Sequence, residues 1–104
     1  MADINEIGRL AANVLIDAVS AYDTELSEQS KSEMMTLALE RLSDVEAIGV
    51  SVDEGEEEVE IHVNLDNLVG GTIVSIHWLI SELAEARGTS TEQVISQLRE
   101  HLEA

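Results

Sequence analysis

The sequence contains no cysteine, no proline and no phenylalanine. The lack of cysteine excludes disulfides, thiolate metal ligands and a cysteine nucleophile. Trp78 and Tyr22 are the only aromatic residues, so the apolar 44% of the chain consists almost entirely of aliphatic side chains and methionine. Such a composition favours an aliphatic, helix-rich core.

Long apolar runs and targeting signals are lacking as well. The longest apolar-rich stretch, residues 73–80, is too short to span a bilayer and is interrupted by Ser75 and His77. No charged segment followed by an apolar one opens the sequence, so a secretory signal is not expected. We therefore expect a cytoplasmic, soluble protein with no membrane partner.

Basic residues are scarce. Five of them stand against 22 acidic residues, which gives a formal net charge of −17. DNA, RNA or an anionic membrane surface would repel such a chain, so no direct nucleic-acid binding is expected. The same charge favours solubility and attracts basic protein partners.

The first half of the chain predicts two amphipathic helices. Residues 3–23 repeat apolar side chains at helical spacing, and Asp3 with Glu6 has the spacing of a capping box. A second helix is predicted over residues 27–44, and a capping-box spacing at Ser30 offers a later start as the alternative. The 104 residues fit one domain, so we expect a single acidic α+β domain over residues 1–104.

The apolar pattern then changes from helical spacing to alternation. Two alternating runs, joined by the polar residues 53–58 with Gly55 among them, predict a β-hairpin with one apolar face. Because an isolated hairpin is marginally stable in water, we expect the helices to cover that face. The alternating apolar residues are Ile48, Val50, Val52, Val59, Ile61, Val63 and Leu65.

Two more helices are predicted after the hairpin. The first runs from about Asn67 to Arg87, with Gly88 as its C-cap, although the β-branched residues within 72–79 leave a third strand as the alternative. The last helix covers 91–103 after a cap at Thr89 or Ser90. The predicted fold is an α+β domain in ααββαα order, with helices packed on a hairpin. The third helix has an apolar stripe that we expect to face the protein core, and it comprises Val69, Ile73, Ile76, Ile80, Leu83 and Ala84.

The acidic hairpin is the leading functional candidate. Residues 53–66 hold seven acidic residues and no basic one. On an extended strand, Glu56, Glu58 and Glu60 would share one face at a spacing of roughly 6.6 Å, which could imitate a phosphate backbone. We expect this surface to dock on a basic protein, and one hypothesis is that it acts as a nucleic-acid mimic or inhibitor. A merely solvated hairpin tip is the alternative. The candidate partner-binding residues are Glu54, Glu56, Glu57, Glu58 and Glu60.

Trp78 raises a second hypothesis, self-association. With Val74 it lies on the side of the third helix opposite the Ile73, Ile76 and Ile80 stripe. Burial of Trp78 against the hairpin is one interpretation, and a subunit interface is the other. In the second interpretation two hairpins pair edge to edge in a homodimer, Val74 and Trp78 contribute to the seam, and the acidity serves only solubility.

Motifs for catalysis, metals and cofactors are not recognisable. His62, His77 and His101 lie in separate elements without the i, i+4 spacing of a helical zinc site. Gly70 and Gly71 lack the further residues of a dinucleotide or phosphate loop, so we interpret them as sites of a turn or of close packing. No serine lies in a G-x-S-x-G motif. We expect a non-enzymatic protein with no catalytic residue, no metal and no cofactor.

Overall fold

The computed structural model describes residues 5–103. Its six elements follow the predicted helix–helix–strand–strand–helix–helix order, which confirms the α+β class. The chain divides into two compact units, Met1–Thr72 and Ile73–Ala104. The single domain over residues 1–104 stays a prediction. The elements are α1 (Glu6–Ala21), α2 (Glu28–Asp44), β1 (Gly49–Glu54), β2 (Val59–Asn64), α3 (Asp66–Arg87) and α4 (Thr91–Glu103).

Short polar side chains cap the starts of α1, α2 and α4; at α4 the Gln93 N–H donates to the Ser90 hydroxyl. The Asn5 side chain accepts a hydrogen bond of 2.7 Å from the Gly8 N–H at the start of α1. Ser27 accepts one from the Ser30 N–H at the start of α2, so the earlier of the two predicted starts is correct. Each cap satisfies an N–H group that has no partner within its helix. The predicted capping residue Asp3 lies outside the described residues.

The end of α3 confirms the predicted Gly88 cap. Gly88 has a φ of 65°, the Thr89 N–H donates to the Ala84 carbonyl, and the Gly88 N–H donates to that of Glu85. This pair of bonds is a Schellman motif, in which a left-handed residue closes the helix. The helix is continuous over residues 72–79, so the alternative of a third strand there is wrong.

The same motif ends α2, but with a glutamate in the left-handed position. Glu46 has a φ of 64°. The Ala47 N–H donates to the Leu42 carbonyl and the Glu46 N–H to that of Ser43. A residue with a Cβ atom is strained in this conformation by roughly 1–2 kcal/mol, which glycine avoids.

The core of the first unit lies among α1, α2 and the segment that follows α2. Its members are mostly small, which lets the backbones of the two helices approach closely. At the edge of this contact, Arg41 Nη2 lies 2.8 Å from Asp17 Oδ2. The buried cluster comprises Ala11, Val14, Ala38, Leu42 and Ala47.

A pair of glycines brings the start of α3 against α1. A Cβ atom added at Gly71 would collide with the backbone carbonyl of Gly8, whereas one added at Gly70 would meet nothing within 4 Å. The side chain of Asn5 also donates a hydrogen bond to that of Asn67, near the start of α3. The close-packing interpretation is therefore confirmed for Gly71.

The apolar face of the hairpin and the predicted stripe of α3 are more exposed to solvent than expected. Val52 and Ile61 on the apolar hairpin face are 57% and 66% exposed, so α1 and α2, the helices of the same unit, do not cover it. Ile73 and Ile76 are also exposed. Alternation and helical spacing identify an apolar face correctly, but they do not determine what covers it, and here α1 and α2 bury small residues against each other instead.

We expect Gly71→Ala to destabilise the protein by about 1–3 kcal/mol, because the added methyl group overpacks a backbone contact. Gly70→Ala is the matched control and should stabilise by about 0.5–1 kcal/mol, because alanine favours the helix and meets open space. Urea unfolding followed by circular dichroism measures both. Equal effects of the two substitutions would contradict the close approach.

We expect Glu46→Gly to stabilise the protein by roughly 0.5 kcal/mol, because removal of the left-handed strain outweighs the added freedom of the unfolded chain. Glu40→Gly, at an exposed position within α2, should instead cost about 0.5–1 kcal/mol. Thermal and urea unfolding of the two variants test the difference in sign. A loss of stability in both would show that Glu46 is not strained.

Candidate functional site

The register of the hairpin assigns its side chains to two different faces. Val50 is opposite Val63, Val52 is opposite Ile61, and Glu54 is opposite Val59. Directly opposed residues lie on the same face of a sheet. We call the set Val50, Val52, Val59, Ile61 and Val63 the apolar hairpin face.

This face is open to solvent along its whole length. Its five residues are between 57% and 66% exposed. Antiparallel sheets normally pack one face on a core, and contiguous exposed apolar patches mark interaction sites. The sheet has two strands, so each strand also has one unpaired edge in the part of the chain that is described. The hairpin therefore presents both an apolar surface and free strand edges.

The acidic residues concentrate at the turn, but not as the expected row. We call Gly55–Glu58 the acidic turn; the Gly55 N–H donates to the Glu58 carbonyl at 2.8 Å. Glu56 and Glu58 lie in this turn and not on a strand, so they do not form a regular series with Glu60. The predicted row is wrong because β2 begins only at Val59, so the chain reverses direction at Glu56 and Glu58. Strand β1 extends two residues further than the alternation suggested, which leaves a four-residue turn.

The remaining candidate residues of the acidic surface lie on both sides of the hairpin. Glu54 shares the apolar hairpin face, opposite Val59, whereas Glu60 lies on the other face, opposite Asp53. All five predicted partner-binding glutamates are exposed. The arrangement is thus a cluster of negative charge that surrounds the turn end of the apolar hairpin face.

The polar face brings together three possible metal ligands that the sequence did not suggest. Ligand atoms of Asp53, Glu60 and His62 lie within 4.8 Å of one another, and Glu60 Oε2 is 3.4 Å from His62 Nε2. Carboxylates and imidazole are ligands of divalent transition metals. All three side chains are exposed. The sequence could have indicated this cluster only through the register of the hairpin, which depends on the length of its turn.

The second unit contains an apolar groove between its two helices, which we call the α3–α4 groove. The groove is open to solvent, and its volume is about 540 Å³. The two polar residues that line it are paired, since Arg87 Nη1 donates to Gln97 Oε1 at 2.9 Å. The apolar lining residues are Ile76, Leu79, Ile80, Leu83, Val94, Leu98 and Leu102.

The predicted self-association residues lie on the other side of α3. Trp78 is 60% exposed. Its burial against the hairpin stays a prediction, because Trp78 and the hairpin belong to different compact units. Val74 is half-buried and lies one turn earlier on the same side. At 100° per residue, Trp78 points roughly 160° away from the neighbouring groove residues Ile76 and Ile80. Helix α3 therefore exposes apolar side chains on two opposite sides.

Comparison with known proteins identifies no relative of this chain. No family model, curated protein or solved structure matches the chain. Among the described residues, no helix has the length and apolar character required to cross a membrane.

We expect Val52→Thr and Ile61→Thr each to change the free energy of unfolding by about 0.5 kcal/mol or less, because both residues are exposed and threonine suits a strand. Leu42→Ala, in the core, should cost about 2–5 kcal/mol. Urea unfolding at low protein concentration compares the three variants. A cost above 2 kcal/mol at Ile61 would mean that the apolar hairpin face is covered in the folded chain.

Proposed function

We propose that this protein is a non-enzymatic interaction protein of the cytoplasm that docks on a basic protein partner through its hairpin. The observation that carries the proposal is the direct continuity of an exposed apolar hairpin face with a cluster of exposed glutamates. Protein interfaces typically combine an apolar centre with a charged rim. The hairpin offers both parts on one element.

The two parts of the surface have different physical roles. The charges around the acidic turn attract a basic partner over a distance and raise the rate of encounter. Burial of Val52, Ile61 and their neighbours then slows dissociation, because apolar contacts are not screened by salt. A partner with an apolar patch beside lysine or arginine residues fits this surface.

The geometry favours docking by charge and apolar contact over close imitation of a phosphate backbone. A mimic needs regularly spaced charges, and Glu56, Glu58 and Glu60 do not form such a row. A nucleic-acid-binding protein remains a suitable class of partner, because its basic groove attracts any dense acidic cluster. Inhibition would then follow from occupation of that groove.

A second candidate function, a self-assembling accessory subunit, is favoured by the exposure of Trp78. Tryptophan is enriched at binding hot spots, and 60% of this side chain is accessible. The free strand edges of the hairpin add a second means of pairing between copies. In this alternative the charge serves solubility.

The docking proposal is tested by charge reversal with a matched control. The variant Glu56→Lys, Glu58→Lys, Glu60→Lys changes the net charge by the same amount as Glu25→Lys, Glu33→Lys, Glu40→Lys, whose positions are exposed outside the hairpin. Tagged proteins are used to capture partners from a lysate of the source cell at low and high salt, and mass spectrometry identifies them. We expect basic proteins to be retained by the wild type and the control, and lost from the hairpin variant and at high salt.

A further variant, Val52→Ser with Ile61→Ser, separates the apolar contribution. We expect it to lose the same partner through faster dissociation, with little change in the rate of association. Equal retention by the two charge variants, or equal loss from both, would contradict a specific role of the hairpin.

A further inference from the structure

We propose that Asp53, Glu60 and His62 form a binding site for a divalent transition-metal ion of the Zn²⁺ type on the polar face of the hairpin. All three residues lie in the first compact unit. The sequence alone led to the expectation of no metal, because its three histidines lie in separate elements. The pairing of the strands brings the ligands together. Such a site goes beyond docking on a basic partner and does not depend on it.

The first observation is how the two strands position the three side chains. Asp53 on β1 is directly opposite Glu60 on β2, and His62 follows two residues after Glu60. Residues two apart on a strand point to the same face, and so do directly opposed residues. The three side chains therefore leave one face of the sheet, and the pairing of the strands fixes the spacing of their backbone atoms.

The second observation is the distances between the ligand atoms. Glu60 Oε2 is 3.4 Å from His62 Nε2, and ligand atoms of all three residues lie within 4.8 Å of one another. Around a tetrahedral Zn²⁺ ion with bonds of about 2.1 Å, neighbouring ligand atoms are roughly 3.4 Å apart. Glu60 and His62 already have this separation. A rotation of the exposed Asp53 side chain is enough to complete the set.

The third observation is an unfavourable arrangement of charge that a cation relieves. Like charges directly opposite each other on a sheet are destabilising, and Asp53 and Glu60 are such a pair. Residues 49–64 contain no lysine or arginine. Among the described residues, neither carboxylate is paired with a lysine or arginine side chain. A divalent cation coordinated by both carboxylates removes this repulsion, so metal binding stabilises the hairpin.

The fourth observation is the chemistry of the ligand set, which determines the class of metal. Ca²⁺ takes roughly six to eight oxygen ligands, and Mg²⁺ is held through oxygen as well. Imidazole suits Zn²⁺ and its transition-metal neighbours, and carboxylates complete such sites. Two carboxylates and one imidazole leave a coordination position open to water. The acidic turn, by contrast, offers carboxylates without a nitrogen ligand.

The test separates this site from general attraction of cations to an acidic surface. Isothermal titration calorimetry of the purified full chain, at physiological ionic strength, measures the Kd of Zn²⁺ and of Ca²⁺. The variants His62→Ala and Asp53→Asn each remove one ligand. Their matched controls, His77→Ala and Glu56→Gln, each remove an exposed imidazole or carboxylate elsewhere. Glu60 is left unchanged, because it also belongs to the candidate docking residues.

We expect the wild type to bind about one Zn²⁺ per chain and to bind Ca²⁺ far more weakly. The Kd of Zn²⁺ should rise at least about 10-fold in His62→Ala and Asp53→Asn, since loss of even an outer-shell partner has an effect of this size. It should change less than about twofold in the two controls. Circular dichroism checks that each variant retains its secondary structure.

A second measurement needs no substitution. In the NMR spectrum of the wild type, Zn²⁺ should shift the ring-proton signals of His62 and leave those of His77 and His101 in place. Unshifted His62 signals, or equal shifts of all three histidines, would overturn the site.

Equal Zn²⁺ affinity of the wild type and His62→Ala would also overturn it, as would equal affinity for Zn²⁺ and Ca²⁺, because the acidic surface would then attract cations without a defined site. Absence of Zn²⁺ binding has the same meaning. These measurements use the purified chain without a partner, whereas docking is measured by the charge-reversal variants in a lysate, so the two proposals fail separately.

Discussion

The close contact between small residues in the first unit is the constraint on which the rest of the structure depends. The buried core of this unit consists of alanines, one valine and one leucine, and larger side chains such as Ile7 and Leu15 pack against it partly buried. The start of α3 approaches α1 backbone to backbone at Gly8 and Gly71. A core of this size covers few large side chains, and many large aliphatic residues of the unit are exposed, among them Ile16, Val19, Leu37, Val50, Val52, Val59, Ile61 and Val63.

The acidic composition is the counterpart of that exposed apolar surface. Apolar patches promote uncontrolled association, and a high net charge opposes it through repulsion between copies. The charge is concentrated around the hairpin, where an exposed apolar face and free strand edges would otherwise invite pairing with other chains. It is sparse on α3 and α4, so repulsion there is weak and ordered association is not prevented. Both units thus combine exposed apolar surface with negative charge, and the first unit carries much more of the charge.

The sequence was sufficient to predict each helix and strand, because the signals for these are local. Helical spacing, alternation and capping residues such as Ser27, Ser90 and Gly88 act over a few neighbouring positions. The errors concern properties that depend on distant parts of the chain. Alternation identified the apolar hairpin face but not its exposure. Glu56 and Glu58 lie in the turn and form no row with Glu60, whereas the longer β1 places Asp53 opposite Glu60 and near His62. The α3–α4 groove was also beyond prediction, since the same stripe on α3 would serve an internal core equally well.

Docking through the acidic turn and self-association through Trp78 would use separate residues, so one does not preclude the other. The acidic turn joins β1 and β2, and Trp78 lies on α3. A dimer joined at Trp78 would carry two acidic turns, and a partner with two basic sites, or an assembly of basic subunits, would then be bound twice. The second binding event becomes intramolecular, so the overall affinity rises without any new contact. Weak, salt-sensitive contacts at each hairpin are then enough for stable docking, which is the regime expected for exposed carboxylates that are individually screened by solvent.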